Sequence, residues 1–372
     1  MTSVDARLRA PSAASLVIPA GLEAAEPPEL RGIARDGVRL LVSDSTSGNF
    51  EHRSFAEFPA LLRRGDLVVV NDSATLPAAL DAWTARGRHL VLHCSTHVAA
   101  TLWIVEPRDG AGQGMRPLPE PERSELTATR LILAGGGIAT LLAPVDERSS
   151  RLWYARLELG DDGVEHLHAF GRPIRYAYAG AFPIGTYQTI FARVPGSAEM
   201  PSAARPFTPR TLAALEAREI EVASITLHTG VSSQESHEPP FAERYAVPQR
   251  AVDAIARAKE RGGRIVAVGT TVVRALESAV QDGVARAAAG WTERLVAPER
   301  PPEIVDGLLT GLHEPQASHL EMLAAFLPEP ALAQAYREAL REQYLWHEFG
   351  DTHLILPRTQ RRFLVGLRDE AA

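Results

Sequence analysis

One cysteine, Cys94, and one lysine, Lys259, among 372 residues leave little room for several kinds of chemistry. A lone thiol cannot form an internal disulfide or a cysteine-based zinc site. Cys94 lies in the alternating run RHLVLHCS, where a half-buried strand position is expected rather than a nucleophile. No apolar run approaches the roughly 20 residues of a membrane-spanning helix. The first residues, MTSVDARLRAPSAASLVIPAGLEA, lack the long apolar segment of a secretory leader, so a cytoplasmic protein is expected. The histidines are numerous, but no pair has zincin or zinc-ribbon spacing, and no metal is expected. A formal net charge of -7 argues against non-specific duplex binding, although a basic patch can coexist with an acidic whole.

What remains is ordinary globular composition, 45% apolar and 23% charged, in a chain long enough for two domains. Up to about Asp72 the pattern is that of an α/β layer: VRLLVSD, a helix SFAEFPALLRRG, then the apolar strand DLVVVND. After Pro77 the runs RHLVLHCS, ATLWIVEP, TRLILAG, IATLLAP and RLWYARLEL are short and separated by turns, as in a small antiparallel barrel or sandwich. A loop is expected from about Arg108 to Glu125. From about Tyr176 helices and strands alternate again, with a helix starting at Thr208-Pro209 and another running from Pro248 to Gly262. An all-β block between α/β segments predicts an α/β main domain, residues 1–76 and 176–372, with an inserted small antiparallel β-barrel domain, residues 77–175.

The segment GRIVAVGTTVVRALES, Gly263–Ser278, reads as a buried strand, a small-residue turn and a helix. Gly269 permits an unusual backbone angle, and Thr270 or Thr271 is expected to cap the helix. Such a junction aims unpaired N–H groups at an anionic or polar ligand, although an ordinary strand-to-helix connection gives the same pattern. Arg274 and Glu277 lie three apart on that helix, so either they grip a ligand or they pair with each other.

Six segments in order resemble the S-adenosylmethionine:tRNA ribosyltransferase-isomerases of queuosine biosynthesis. They are GDLVVVNDSATLPAAL (Gly65–Leu80), TYQTIFARVPGSAEMPSA (Thr186–Ala203), TLHTG (Thr226–Gly230), Gly263–Ser278, LLTGLHEPQASHLEMLAAF (Leu308–Phe326) and FGD (Phe349–Asp351). The resemblance covers most of the chain outside the inserted block and implies an α/β domain interrupted by a β-barrel. It also implies S-adenosylmethionine as ribosyl donor, transferred and rearranged onto an aminomethyl-deazaguanine base in the tRNA anticodon loop. Adenine and methionine would be released without a metal or redox cofactor. Apart from the resemblance, a monomer is expected.

Among the matching positions, His228, His313 and Asp72 are the candidate catalytic residues. Gly269, Thr270, Thr271, Arg274, Glu277, Asn71, Tyr187 and Gln188 are the candidates for binding S-adenosylmethionine. Each also has a plain structural role open to it: a satisfied strand-end histidine, a cap carboxylate, a turn amide. The chain departs from the family where Ala74 and Ala79 replace arginines, Pro206 a histidine, Gly311 an asparagine and Gln316 a lysine. These losses leave three readings open: the tRNA enzyme, a diverged enzyme acting on a smaller nucleoside-like substrate, and a non-catalytic nucleoside- or RNA-binding protein.

Overall fold

The computed structural model describes residue 13 and residues 16–357, except 113, 115, 120–121, 124, 147–148, 161–162, 232–240 and 313–318. The chain begins with β1 (Arg39–Asp44), β2 (Phe50–Ser54), the one-turn α1 (Phe58–Leu61), β3 (Leu67–Asn71) and β4 (Ser73–Thr75). β5 (Ala79–Thr84), β6 (His89–Ala99), β7 (Leu102–Asp109), β8 (Arg130–Leu133), β9 (Ile138–Asp146) and β10 (Ser149–Glu158) follow. Then come α2 (Gly163–Phe170), β11 (Val194–Ser197), α3 (Pro209–Glu216), β12 (Glu221–Leu227), β13 (Glu243–Val247) and α4 (Gln249–Glu260). The last part holds β14 (Ile265–Val268), α5 (Thr270–Ser278), a small β15 (Val280–Gln281) and β16 (Val284–Ala285) pair, and β17 (Ala288–Thr292). β18 (Gly307–Gly311), α6 (His319–Phe326), α7 (Glu329–Arg341) and β19 (Thr352–Leu356) complete it.

The main sheet has the order β17-β13-β12-β3-β14-β18-β19-β1-β2. At its centre β3 pairs in parallel with both β12 and β14. Every residue of β3 and β14 is buried, which is why these strands read as unbroken apolar runs rather than alternating ones. β1 and β19 pair in parallel, Leu40 opposite Thr352, so the two ends of the chain share one core as the discontinuous pattern predicts. β5 to β10 close into an antiparallel barrel of order β10-β7-β6-β5-β8-β9. An α/β main domain with an inserted small antiparallel β-barrel is the fold.

At the neck of the barrel the outgoing and returning chains clasp each other. Ala79 N–H donates to Arg172 O at 2.9 Å, and Arg172 N–H donates back to Ala79 O at 3.0 Å. The Arg172 guanidinium also grips both oxygens of Asp81, at 2.8 and 3.0 Å.

Inside the barrel, the buried Glu106 carboxylate meets Arg108 at 3.0 Å, Arg151 at 3.3 Å and His93 at 3.4 Å. Burial alone would raise its pKa, but the His93 hydrogen bond and the two guanidinium charges bring it down to about 2. Arg108, expected at the start of a loop, is instead a buried residue of β7. Its ion pair offsets the desolvation that makes an arginine unusual there. Cys94 is wholly buried in β6, where burial pushes its thiol up to about 12, so it is no nucleophile.

Candidate active site

The N-terminus of α5 opens onto a cavity of about 530 Å³ between the main sheet and the barrel. That size falls within the roughly 300–1,000 Å³ typical of small-molecule sites. Gly269, Thr270, Thr271 and Arg274 all line it. Gly269 sits at φ +96°, a conformation that L-residues with a Cβ rarely adopt, and its N–H donates to Leu309 O at 2.8 Å. The helix cap differs from expectation. Gly269 itself is the N-cap, no side chain caps the helix, and Thr270 is already the first helical residue. The first N–H groups of a helix have no acceptor within it, so this end presents donors and both threonine side chains to the cavity.

Arg274 does not pair with Glu277. It forms an ion pair with Glu243 of β13 and donates to Phe241 O at 3.1 Å and Thr292 O at 3.2 Å, which fixes the cavity wall. Glu277 faces the core, where it accepts from the N–H groups of Glu303, Ile304 and Val305 at 2.8 to 3.1 Å. That carboxylate holds the segment leading into β18 and does not line the cavity.

The other predicted residues form two further groups, neither on the cavity surface. Asn71 accepts from Leu227 N–H at 3.0 Å and donates to Leu227 O at 2.8 Å, with a longer contact of 3.5 Å to Thr271 Oγ1. Asp72 accepts from Thr226 Oγ1 at 2.6 Å. His228 is half-buried, with its Nδ1 2.8 Å from Ser73 Oγ, which is 2.6 Å from Ser197 Oγ. Burial and the nearby Arg244 lower the His228 pKa against a smaller opposing pull from Asp72, so the ring is neutral at neutral pH. Gln188 binds both backbone groups of Thr75, at 3.0 and 2.7 Å, and extends the β4 edge. Tyr187 is buried against Phe349, and its carbonyl accepts from Thr75 Oγ1 at 2.9 Å. His313 and Gln316 lie outside the described residues.

The loop that follows β12 carries the cavity across to the barrel. Val231 N–H donates to Ser95 Oγ of β6 at 3.0 Å, and a Cβ on Gly230 would come within 2.7 Å of the same oxygen. Thr229 Oγ1 donates to Glu199 O at 2.7 Å. The end of TLHTG and Val231 therefore pack against β6 of the barrel, with His228 directed to Ser73 and Thr229, Gly230 and Val231 lining the cavity.

Sequence reasoning missed the acidic and aromatic side of the cavity. Glu199, Glu243 and Glu348 line it, with Tyr176, Tyr178 and His347. Tyr176 Oη donates to Glu199. Burial and the neighbouring Glu199 push Glu348 up to about 8, against a smaller pull from Arg205. Burial also raises Glu243, which Arg274 opposes. His319, the first residue of α6, is lowered to about 4 by burial and then by Arg274. Glu199 lies inside the matching segment Thr186–Ala203, and Glu348 immediately precedes Phe349–Asp351. Those motif positions were the one signal available, because 148 residues lie between the two in the sequence.

The family departures fall in different places. Ala79 is buried in the barrel core, Ala74 is half-buried in β4, and Pro206 follows Arg205, which is itself buried and paired with Glu29 at 3.1 Å. Gly311 lines the cavity. Among the described residues no group of three or more His, Cys, Asp or Glu is placed to hold a metal ion. No helix among them is long and apolar enough to cross a membrane.

A family model described as queuosine biosynthesis protein matches residues 15–355. The S-adenosylmethionine:tRNA ribosyltransferase-isomerase of Moorella thermoacetica is 35% identical over 351 residues, covering 91% of this chain and 97% of the relative. The protein of the same name from Thermus thermophilus is 36% identical over 358 residues, covering 90% and 99%. Among solved structures, an S-adenosylmethionine tRNA ribosyltransferase from Thermotoga maritima aligns with a TM-score of 0.53 at 27% identity, covering 93% of this chain and 100% of that one. Family model, relatives and fold agree over nearly the whole length, and the chain belongs to the S-adenosylmethionine:tRNA ribosyltransferase-isomerase family of queuosine biosynthesis proteins.

Proposed function

We propose that this protein transfers and isomerises the ribosyl group of S-adenosylmethionine onto the 7-aminomethyl-7-deazaguanine base of tRNA, giving epoxyqueuosine with release of adenine and methionine. The observation that carries this reading is the cavity itself, in which helix N–H donors and hydroxyls at Gly269–Thr271 stand with carboxyl groups at Glu199, Glu243 and Glu348. S-adenosylmethionine carries a carboxylate, ribose hydroxyls and positive charge, and each finds complementary chemistry there. Its sulfonium acidifies the adjacent ribose C–H and makes methionine a good leaving group.

In this reading the α5 terminus binds the anionic or hydroxyl part of the donor, and the buried Arg274–Glu243 pair keeps that terminus in place. The apolar part of the lining, including Ile104 and Leu152 from the barrel, excludes water from the reacting sugar. His228, neutral and held by Ser73, is a proton acceptor one residue away from the cavity-lining Thr229; Asp72 orients the same strand ends through Thr226. Asn71 positions Thr271, while Tyr187 and Gln188 support β4 and Glu277 supports the start of β18. The partner is the tRNA anticodon loop, whose target base is flipped into the site. Exposed Arg193, Arg244 and Arg250 on the elements around Asp72 and His228 provide local positive charge on an acidic chain. The protein acts as a cytoplasmic monomer.

The test is incubation with S-adenosylmethionine and tRNA bearing the aminomethyl-deazaguanine base, followed by mass analysis of the nucleosides. An epoxide-bearing nucleoside is expected. Unmodified tRNA beside an active relative would sink the proposal, and adenine release without tRNA would instead select the smaller-substrate reading.

A further inference from the structure

Among the described residues, the buried carboxylates are met by donors, with one exception on the cavity wall. Glu106 has three cationic neighbours, Asp66 takes the Arg264 guanidinium, and Glu277 takes three backbone N–H groups. Glu348 Oε2 is shut off from solvent and has no hydrogen-bond partner among the described residues. An unmet carboxyl oxygen is costly to bury, and a site that retains one has it available for something that arrives.

Its surroundings indicate the chemistry of the arrival. Glu199 lines the same cavity close enough to repel a charge on Glu348, and Tyr176 already donates to Glu199. Arg205, the cation that acts on Glu348, is committed to Glu29 and to Thr186 O. Beside the carboxyls stands a wall of stacked rings. The Tyr178 and His347 ring centroids are 4.3 Å apart at 16°, and those of Tyr176 and Tyr178 are 6.0 Å apart at 14°. His347 also lies 3.5 Å from Glu23. The Arg274–Glu243 ion pair, His319 and Arg294 complete the ionisable lining among the described residues.

Aromatic faces next to carboxyl groups in a desolvated pocket make a receptor for an organic cation, whose charge is spread and weakly hydrated. We propose that Glu199, Glu348 and the Tyr176–Tyr178–His347 stack form the subsite for the sulfonium of the donor nucleoside. Glu348 holds a proton until the cation arrives and then releases it to solvent, so that charge is balanced in both states. The assignment rests on the reading of a sulfonium nucleoside in this cavity and extends it to named groups.

Calorimetric titration in two buffers of different ionisation heat tests it, using S-adenosylmethionine, its neutral thioether S-adenosylhomocysteine, and 5′-methylthioadenosine. The wild type is expected to prefer S-adenosylmethionine over the thioether by about tenfold or more. It should also release close to one proton per sulfonium bound and none with the two thioethers. Glu348→Gln should bind both thioethers as the wild type does, lose the preference and release no proton. Glu199→Gln should lose the preference as well, an independent readout should the first variant fold poorly. Retention of preference and proton release in Glu348→Gln overturns the proposal, as does equal weakening of all three ligands. Wild-type protein that binds all three equally overturns the cation subsite alone, whereas wild-type protein that binds none removes the nucleoside site with it.

Discussion

Arg274 and Glu277 stand one turn apart on α5 and hold different partners: Arg274 takes Glu243 on β13, and Glu277 takes the backbone N–H groups of residues 303–305. The helix is thereby tied to β13 by its middle and to the segment that leads into β18 by its last turn. Glu277→Ala would leave three buried N–H groups without acceptors and is expected to cost about 3–5 kcal/mol in chemical denaturation. Arg274→Met strands the Glu243 carboxylate and should cost a similar amount. The double variant Arg274→Met/Glu243→Leu should recover much of that loss, because it removes both charges together. A double variant no more stable than the single one would show that the pair is not the dominant tie.

Gly196 leaves room for the His228 ring, since a Cβ placed there would lie 2.4 Å from Nδ1. Gly196→Ala is expected to push the imidazole off Ser73 while leaving the cavity wall intact. Ring-proton NMR titration should then report a His228 pKa nearer the ordinary histidine value, with ribosyl transfer reduced by at least about tenfold. An unchanged titration would mean that the ring does not move.

At Gly269 the obstacle is backbone angle rather than space, because a Cβ would meet Thr271 Oγ1 at 3.4 Å and Ala203 Cβ at 3.6 Å. Gly269→Ala should therefore fold with a penalty of about 1–3 kcal/mol. It should also weaken nucleoside binding, because strain relief turns the first N–H groups of α5 away from the cavity. Thermal unfolding and ligand titration of the same sample separate the two effects.

Stability should depend on pH with opposite signs on either side of about 6.5. Burial lowers His353 from 6.5 to about 3, and burial with Arg274 lowers His319 from 6.5 to about 4. The unfolded chain then binds protons that the folded chain refuses, so their contribution is full above 6.5 and is lost as pH falls below it. Glu348 runs the other way, raised from 4.5 to about 8. Here the folded chain keeps a proton that the unfolded one has released, and stability falls as pH rises from 4.5 through 8. Urea midpoints should peak near pH 6.5, the value below which both histidines begin to cost stability. Glu348→Gln should flatten the decline on the alkaline side. A decline unchanged in that variant would place its source elsewhere.

The sequence made the architecture readable because its signals were local. The buried parallel strands β3 and β14 announced themselves as apolar runs, the Thr208-Pro209 start of α3 as a cap and first-turn proline, and the barrel as short runs between turns. The Gly269 bend was legible as a backbone exception, and it does line the cavity. Partners were not legible. Spacing put Arg274 within reach of Glu277, but burial gave each a better acceptor or donor from a distant segment. Glu199 lay inside a matching segment and Glu348 beside one, yet neither they nor Tyr176 carry a spacing that joins them, and only the fold brings them to one wall. Asn71 and Gln188 look like ligand groups in a motif, yet both are satisfied by backbone of neighbouring strands.

The reciprocal bonds between Ala79 and Arg172 hold the two tethers of the barrel side by side. A chain cut and rejoined at those tethers would lose the barrel strands and also the apolar cover they give Ala198 and Val231. What such a pared-down protein would lack is the roof contributed by Ser95, Thr96, Ile104 and Leu152. Evolution can in this way reshape the lid of the chamber by editing one module while the floor, built on Gly269 and α5, stays as it is.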